Sequence, residues 1–165
     1  MFTRSPFKIP VSVLVVIHTA QLEVLLIERV DAQGQATGMW QSVTGSLDFA
    51  AETPRTACLR EVWEETGIDA DASGCILSDW QLQHVYAIYP HWRSRYAPRV
   101  EHNTEHVFGL QVPAVCPIRL NPAEHVACQW LPWAAAAERC FSPTNAKAIR
   151  QLPQIAHDLL SKSPA

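Results

Sequence analysis

One acidic helix constrains this chain more than any other stretch. Residues 45–68 read GSLDFAAETPRTACLREVWEETGI. Thr53 is a good N-cap, Pro54 suits the first helical position and Gly67 supplies a left-handed stop, so a helix is expected over 54–66. Glu61, Glu64 and Glu65 then fall in its last two turns at i, i+3 and i+4. This spacing stacks three like charges on one face, at the negative end of the helix dipole. Each placement costs from a few tenths to about 1 kcal/mol. A cation bound across the three carboxylates would offset that cost, and a solvated acidic face would tolerate it. Spacing alone leaves both readings open.

The rest of the composition narrows the classes. A chain of 165 residues with 48% hydrophobic and 18% charged residues can bury one sizeable core, and is neither disordered nor a coiled coil. No apolar run is long enough to span a membrane, and MFTRSPFKIP has no apolar signal core, so a cytoplasmic protein is expected. Five widely spaced cysteines without a C-x-x-C pair argue for reduced core thiols rather than disulfides or zinc. The net charge of −3 and the absence of an extended basic stripe speak against nucleic acid and anionic membrane as partners. Nothing in the sequence calls for an obligate protein partner.

Along the chain, 11–17 is a continuous β-branched apolar run that suits a strand buried on both faces, and 24–27 repeats the pattern across a short link, as in a hairpin. Residues 31–38 read as a loop, and 40–44 as a short third strand leading into Gly45. One or two strands are expected within 75–89, a basic and aromatic loop over 91–99, and further strands over 103–112 and 126–131. Helices are expected over 133–140 and, after Ser142-Pro143, in a segment to Leu160 that Pro153 kinks or divides. Trp63, between the acidic positions, is expected to pack inward. With no repeat or long linker, the fold class is α/β: an α/β/α sandwich with a mixed β-sheet, one domain over 1–165 with a core of 8–152.

Residues 60–68, REVWEETGI, match the R-E-U-x-E-E-x-G-U core of the Nudix box, U being a bulky aliphatic residue, with seven residues separating Glu52 from Arg60. In this the chain resembles the Nudix hydrolases. It departs from their pattern at one place: six residues, not five, separate Gly45 from Glu52. The addition falls in the loop ahead of the helix, where it does not rotate the acidic face. The resemblance implies Mg²⁺ as cofactor, with Mn²⁺ able to substitute, held by Glu61 and Glu65 together with Gly45. It makes Glu64 a metal ligand or the base that orients water, and has Glu52 and Arg60 hold each other beneath the site. The other reading of Arg60 is a surface pair with Glu64 at i+4. The chemistry agrees: hard divalent cations prefer oxygen ligands, and phosphoanhydride attack builds charge that metal ions neutralise.

A wider set of residues resembles one branch of that family, which removes pyrophosphate from dihydroneopterin triphosphate in folate synthesis. It comprises WQSVTGS at 40–46, the pattern from His91 to Pro98, Asn103-Thr104-Glu105, and Glu124-His125 through Trp130-Leu131. The resemblance adds Glu124 as a metal ligand or base, and implies substrate contacts at Lys8, Arg29, Thr44, Tyr86, Ala87, Ile88, Tyr89 and Ser142. Tyr86 and Tyr89 suit stacking on a flat ring or a place in the core. Arg93, Arg95 and Arg99 suit cover for a triphosphate or a solvated loop. Asn145 matches the branch as well, and a polar residue at a helix start accounts for it equally. The expected partner is a small-molecule triphosphate: dihydroneopterin triphosphate first, with (d)NTPs or dinucleoside polyphosphates as the alternative. A binding module that had lost its chemistry would not need the intact set of Glu61, Glu64, Glu65 and Glu124.

Overall fold

The computed structural model describes residues 5–162. Its strands are β1 (Val11–His18), β2 (Glu23–Val30), β3 (Ala36–Gln41), β4 (Val43–Ser46), β5 (Ile76–Ala87), β6 (His102–Gln111) and β7 (His125–Pro132). Its helices are α1 (Pro54–Thr66), α2 (Trp133–Arg139) and α3 (Pro143–Lys162). The strands form one mixed seven-stranded sheet of order β3-β2-β1-β6-β5, with β4 added to β1 and β7 to β2. Only β1 and β6 run parallel; the other pairs are antiparallel.

The pleat of β1 explains the layers. Val13, Val15 and Ile17 pack with Ala57, Cys58 and Val62 of α1. Leu14 and Val16, pointing the other way, pack with Ala136 and Ala137 of α2 and with Ala148, Ile149 and Leu152 of α3. A strand buried on both faces needs a helix layer on each side, and the sequence supplies both. In the register, β1 and β2 meet only at His18↔Val24. Beyond that point β1 pairs with β4 and β2 with β7, so the two halves of the sheet part where the acidic helix lies.

Several sequence expectations change. The strand expected over 40–44 is two strands, β3 and β4, broken at Ser42; its N–H is taken by Asn145 Oδ1 at 2.8 Å, a partner 103 positions away. The basic loop holds a 3-10 helix, Pro90–Arg95. The last helix runs unbroken through Pro153. The lost hydrogen bond and ring clash cost about 3 kcal/mol, which burial of Ile149 and Leu152 before the proline and packing of Ile155 after it outweigh. Trp63 is 51% exposed rather than packed inward, and the Arg119 guanidinium lies 5.1 Å from its ring centroid, a cation–π contact at the surface. Of the five thiols, all unpaired, only Cys58 is fully buried, and Cys128 is exposed.

Candidate active site

The acidic helix begins and ends as its sequence directs. Thr53 Oγ1 accepts from the Thr56 N–H at 3.1 Å, Pro54 opens the first turn, and Gly67, at φ +72°, returns its N–H to the Trp63 carbonyl at 2.9 Å. Glu61 and Glu65 turn inward and are buried, whereas the Glu64 side chain is half exposed. Gly45 lies directly against Glu61: a Cβ there would overlap the Glu61 carboxylate carbon. Glycine is therefore required at this position for close approach rather than for its backbone angles.

Arg60 and Glu52 build the floor. Arg60 Nε donates to Glu52 Oε1 at 2.9 Å and Nη2 to Oε2 at 3.1 Å, while Nη2 also reaches the Ser46 carbonyl at 3.0 Å. Glu52 Oε2 in turn accepts the Asp48 N–H at 2.6 Å. These bonds tie residues 46–52 onto α1, so the loop absorbs its additional residue with the Arg60–Glu52 pair intact. The simple Glu64 pair is the weaker contact, with Arg60 Nη1 3.6 Å from Glu64 and 2.6 Å from Glu61 Oε1.

Glu124 and His125 arrive from the far end of the sequence. The Glu124 carbonyl accepts from the Val30 N–H at 3.0 Å, and His125 stands opposite Arg29 in the β2–β7 register. This places ligand atoms of Glu65, Glu124 and His125 within 4.8 Å of one another. His125 is a residue to which sequence reasoning gave no role; its signal was its place beside Glu124 in the pattern that carries the branch resemblance.

The electrostatics of this cluster are unfavourable without a cation. Burial pushes the Glu61 carboxyl up to about 7, with Arg60 pulling down and Glu64 and Glu124 pushing further up. Burial also raises Glu65 well above the ordinary carboxylate range, and Glu61 and Glu124 add to it, against the Thr44 backbone and Arg29. His125 is pushed down to about 4 by burial and by Arg29. Glu65 Oε2 and His125 Nδ1 are buried with no hydrogen-bond partner. Oxygen donors, a neutral imidazole and two orphaned atoms in a tight group fit a divalent cation.

A basic rim faces this acidic wall. The Lys8 ammonium is held below its ordinary pKa first by desolvation and then by Arg95 and Arg29, while Glu61 pulls the other way. Arg93, by contrast, is spent inside its own loop, donating to the Ile88 carbonyl at 3.2 Å and lying 3.6 Å from Glu101. Thr44 and Ser142 are partly buried; Tyr86, Ala87 and Tyr89 are exposed, so neither tyrosine is a core residue. Ile88 alone of that segment is buried, and its N–H is bound to the Glu101 carbonyl at 2.8 Å.

Comparison with known proteins agrees with this arrangement. The NUDIX domain family matches residues 8–152. The chain is 42% identical over 146 residues to the dihydroneopterin triphosphate diphosphatase of Escherichia coli K12, covering 88% of this chain and 93% of that protein. It is 35% identical over 152 residues to the enzyme of the same name from Haemophilus influenzae, covering 91% of each. The solved E. coli dihydroneopterin triphosphate pyrophosphohydrolase superposes with a TM-score of 0.77 at 41% identity, covering 89% of this chain and 97% of that one. A Caenorhabditis elegans Ap4A hydrolase, at 15% identity and a TM-score of 0.66, shares the fold. The acidic wall, its Arg60–Glu52 floor and the likeness over nearly the whole length converge: this chain belongs to the Nudix family of hydrolases.

Proposed function

We propose that the chain hydrolyses dihydroneopterin triphosphate to dihydroneopterin monophosphate and pyrophosphate, a step of folate biosynthesis, in a Mg²⁺-dependent reaction in which Mn²⁺ can substitute. The observation that carries this reading is the acidic wall, with Glu61 and Glu65 buried and Glu124 exposed beside them, facing the Lys8, Arg29 and Arg95 rim. Full-length likeness to two enzymes named for this substrate supports it. The wall has the composition to hold metal and the rim to hold the phosphate chain.

The residues divide the work by position. Glu61, Glu65 and Glu124, with the Gly45 carbonyl, would hold Mg²⁺, which supplies charge neutralisation of the phosphates and a more acidic attacking water. Glu64 and Glu124, both exposed, are the carboxylates open to an incoming water and are assigned the base role between them. Lys8 and Arg29 bind phosphate oxygens, and Arg95 closes the rim. Arg60 and Glu52 keep α1 and the preceding loop in register. Thr44, Tyr86, Ala87, Ile88, Tyr89 and Ser142 line the ring end, Ile88 by supporting its neighbours from inside.

Among the described residues no helix is long and apolar enough to cross a membrane. Five unpaired cysteines, one of them exposed, suit a reducing cytoplasm. The reading is tested with purified protein, Mg²⁺ and a panel of dihydroneopterin triphosphate, the eight common (d)NTPs and dinucleoside polyphosphates. The highest kcat/KM is expected for the pterin; a higher value for a dNTP or a dinucleoside polyphosphate would overturn the assignment.

A further inference from the structure

A second polar cluster lies on the α3 face of the sheet, and hydrolysis makes no use of it. Ser12 alternates with Leu14 and Val16 on β1, and Asn103 and Glu105 alternate with Val107 on β6, so all three point toward α3. An apolar neighbour would be expected beneath a helix, yet Asn103 is 2% and Glu105 6% exposed. Asn103 Nδ2 donates to Ser12 Oγ at 2.7 Å and to Tyr86 Oη at 3.0 Å, while its Oδ1 is buried without a partner. Glu105 Oε1 lies 3.4 Å from His84 Nδ1 and accepts from Thr144 Oγ1 at 3.4 Å. Among the described residues both hydrogen bonds fall on that one oxygen, and Oε2 has none. Thr144 Oγ1 continues to Ser142 Oγ at 3.1 Å, and Thr44 stands opposite Leu14.

The cluster thus sits inside the perimeter drawn by Thr44, Tyr86 and Ser142, and it presents acceptors. A carboxylate with Oε2 free and Oε1 held only by two 3.4 Å contacts can accept from two adjacent N–H donors, which a lone hydroxyl or amide matches less well. A 2-amino-4-oxopyrimidine edge offers such a pair, its ring N3–H and its amino group; an adenine edge sets a donor beside an acceptor. Tyr86, 39% exposed and hydrogen-bonded through Asn103, offers a flat apolar face beside it. We infer that Glu105 determines ring specificity by accepting from the 2-amino-4-oxopyrimidine edge of the substrate, with Asn103 fixing Tyr86 alongside. This rests on the proposal that a ring-bearing triphosphate spans Thr44, Tyr86 and Ser142. Pterin and guanine share the edge.

The experiment compares kcat/KM for dihydroneopterin triphosphate, GTP and ITP in wild type and in Glu105→Gln, which removes the charge and replaces one of the two acceptor oxygens by an NH2 donor. ITP differs from GTP only by the missing amino group. Wild type is expected to favour GTP over ITP by about 10- to 100-fold, as for loss of a charge-assisted hydrogen bond. Glu105→Gln is expected to collapse that ratio and to raise KM for the pterin substrate by a similar factor. Equal wild-type values for GTP and ITP, a comparison that needs no variant, overturn the inference, as does an unchanged ratio in a folded Glu105→Gln. The higher of the pterin and GTP values identifies which ring the site serves. Wild type inactive on every triphosphate would sink the hydrolase reading alone, because binding of phosphate-free neopterin, followed by its own fluorescence, still reads the ring site. Neopterin affinity about tenfold weaker in Glu105→Gln supports the inference, and equal affinity overturns it.

Discussion

Arg60 and Glu52 are joined by two nearly parallel hydrogen bonds, Nε to Oε1 at 2.9 Å and Nη2 to Oε2 at 3.1 Å, with Glu52 almost wholly buried. The fork geometry belongs to a guanidinium and a carboxylate, and neither lysine nor glutamine reproduces it. Glu52→Gln leaves the Arg60 charge without its main partner and weakens the acceptor for the Asp48 N–H. A loss of about 2 to 4 kcal/mol in urea unfolding is expected, together with at least a tenfold drop in kcat. Unchanged stability would show that residues 46–52 are held by other means.

Glu65→Gln separates fold from function. Glu65 is a buried carboxylate with Oε2 unpartnered, and a glutamine oxygen can still accept from the Thr44 backbone, so neutralising it chiefly removes a desolvation cost. The variant should unfold at the same temperature as metal-free wild type or higher, and should lose on the order of 10³-fold in activity by losing a metal ligand. Activity within threefold of wild type would remove Glu65 from the metal site.

Gly45→Ala inserts a methyl group where the Glu61 carboxylate stands. Glu61 must swing away, so Mn²⁺ affinity followed by electron spin resonance should fall about tenfold or more, with an activity loss at least as large. Retained Mn²⁺ affinity would place the ion away from Glu61.

The metal-free protein should become less stable as pH rises from 6.5 to 7. A carboxyl whose folded pKa is raised, as Glu61 is to about 7, binds more protons folded than unfolded. Its contribution is full below the unfolded value of about 4.5 and is lost as pH rises through the folded value. Glu65 acts in the same direction. His125, pushed down to about 4, has the opposite sign: its contribution is present above about 6.5 and lost as pH falls through 4. Between about 4.5 and 6.5 the two effects oppose, and above 6.5 only the carboxylates act. Thermal unfolding with EDTA should show the fall from 6.5 upward, and Mg²⁺ should flatten it; a rise over that interval with EDTA would contradict the assignment of buried, repelling carboxylates.

Much of this was legible in the sequence because it is local. Thr53, Pro54 and Gly67 mark both ends of α1 within the segment itself, and the unbroken apolar run of β1 already demanded two helix layers. What was not legible depends on partners distant in the chain. The break at Ser42 is made by Asn145, 103 positions away, and the exposed Trp63 ring is met by Arg119, far along the chain. His125 joins Glu65 only because β7 pairs with β2 and carries it opposite Arg29. Pro153 reads locally as a helix breaker and is overruled by Ile149, Leu152 and Ile155 in the core.

The most direct test of the central claim follows the phosphorus. With dihydroneopterin triphosphate and Mg²⁺, ³¹P NMR should show pyrophosphate and dihydroneopterin monophosphate growing in equal amounts, without orthophosphate, and EDTA should stop both. Stepwise release of orthophosphate, or turnover that survives EDTA, would contradict a metal-dependent pyrophosphohydrolase built on Glu61, Glu65 and Glu124.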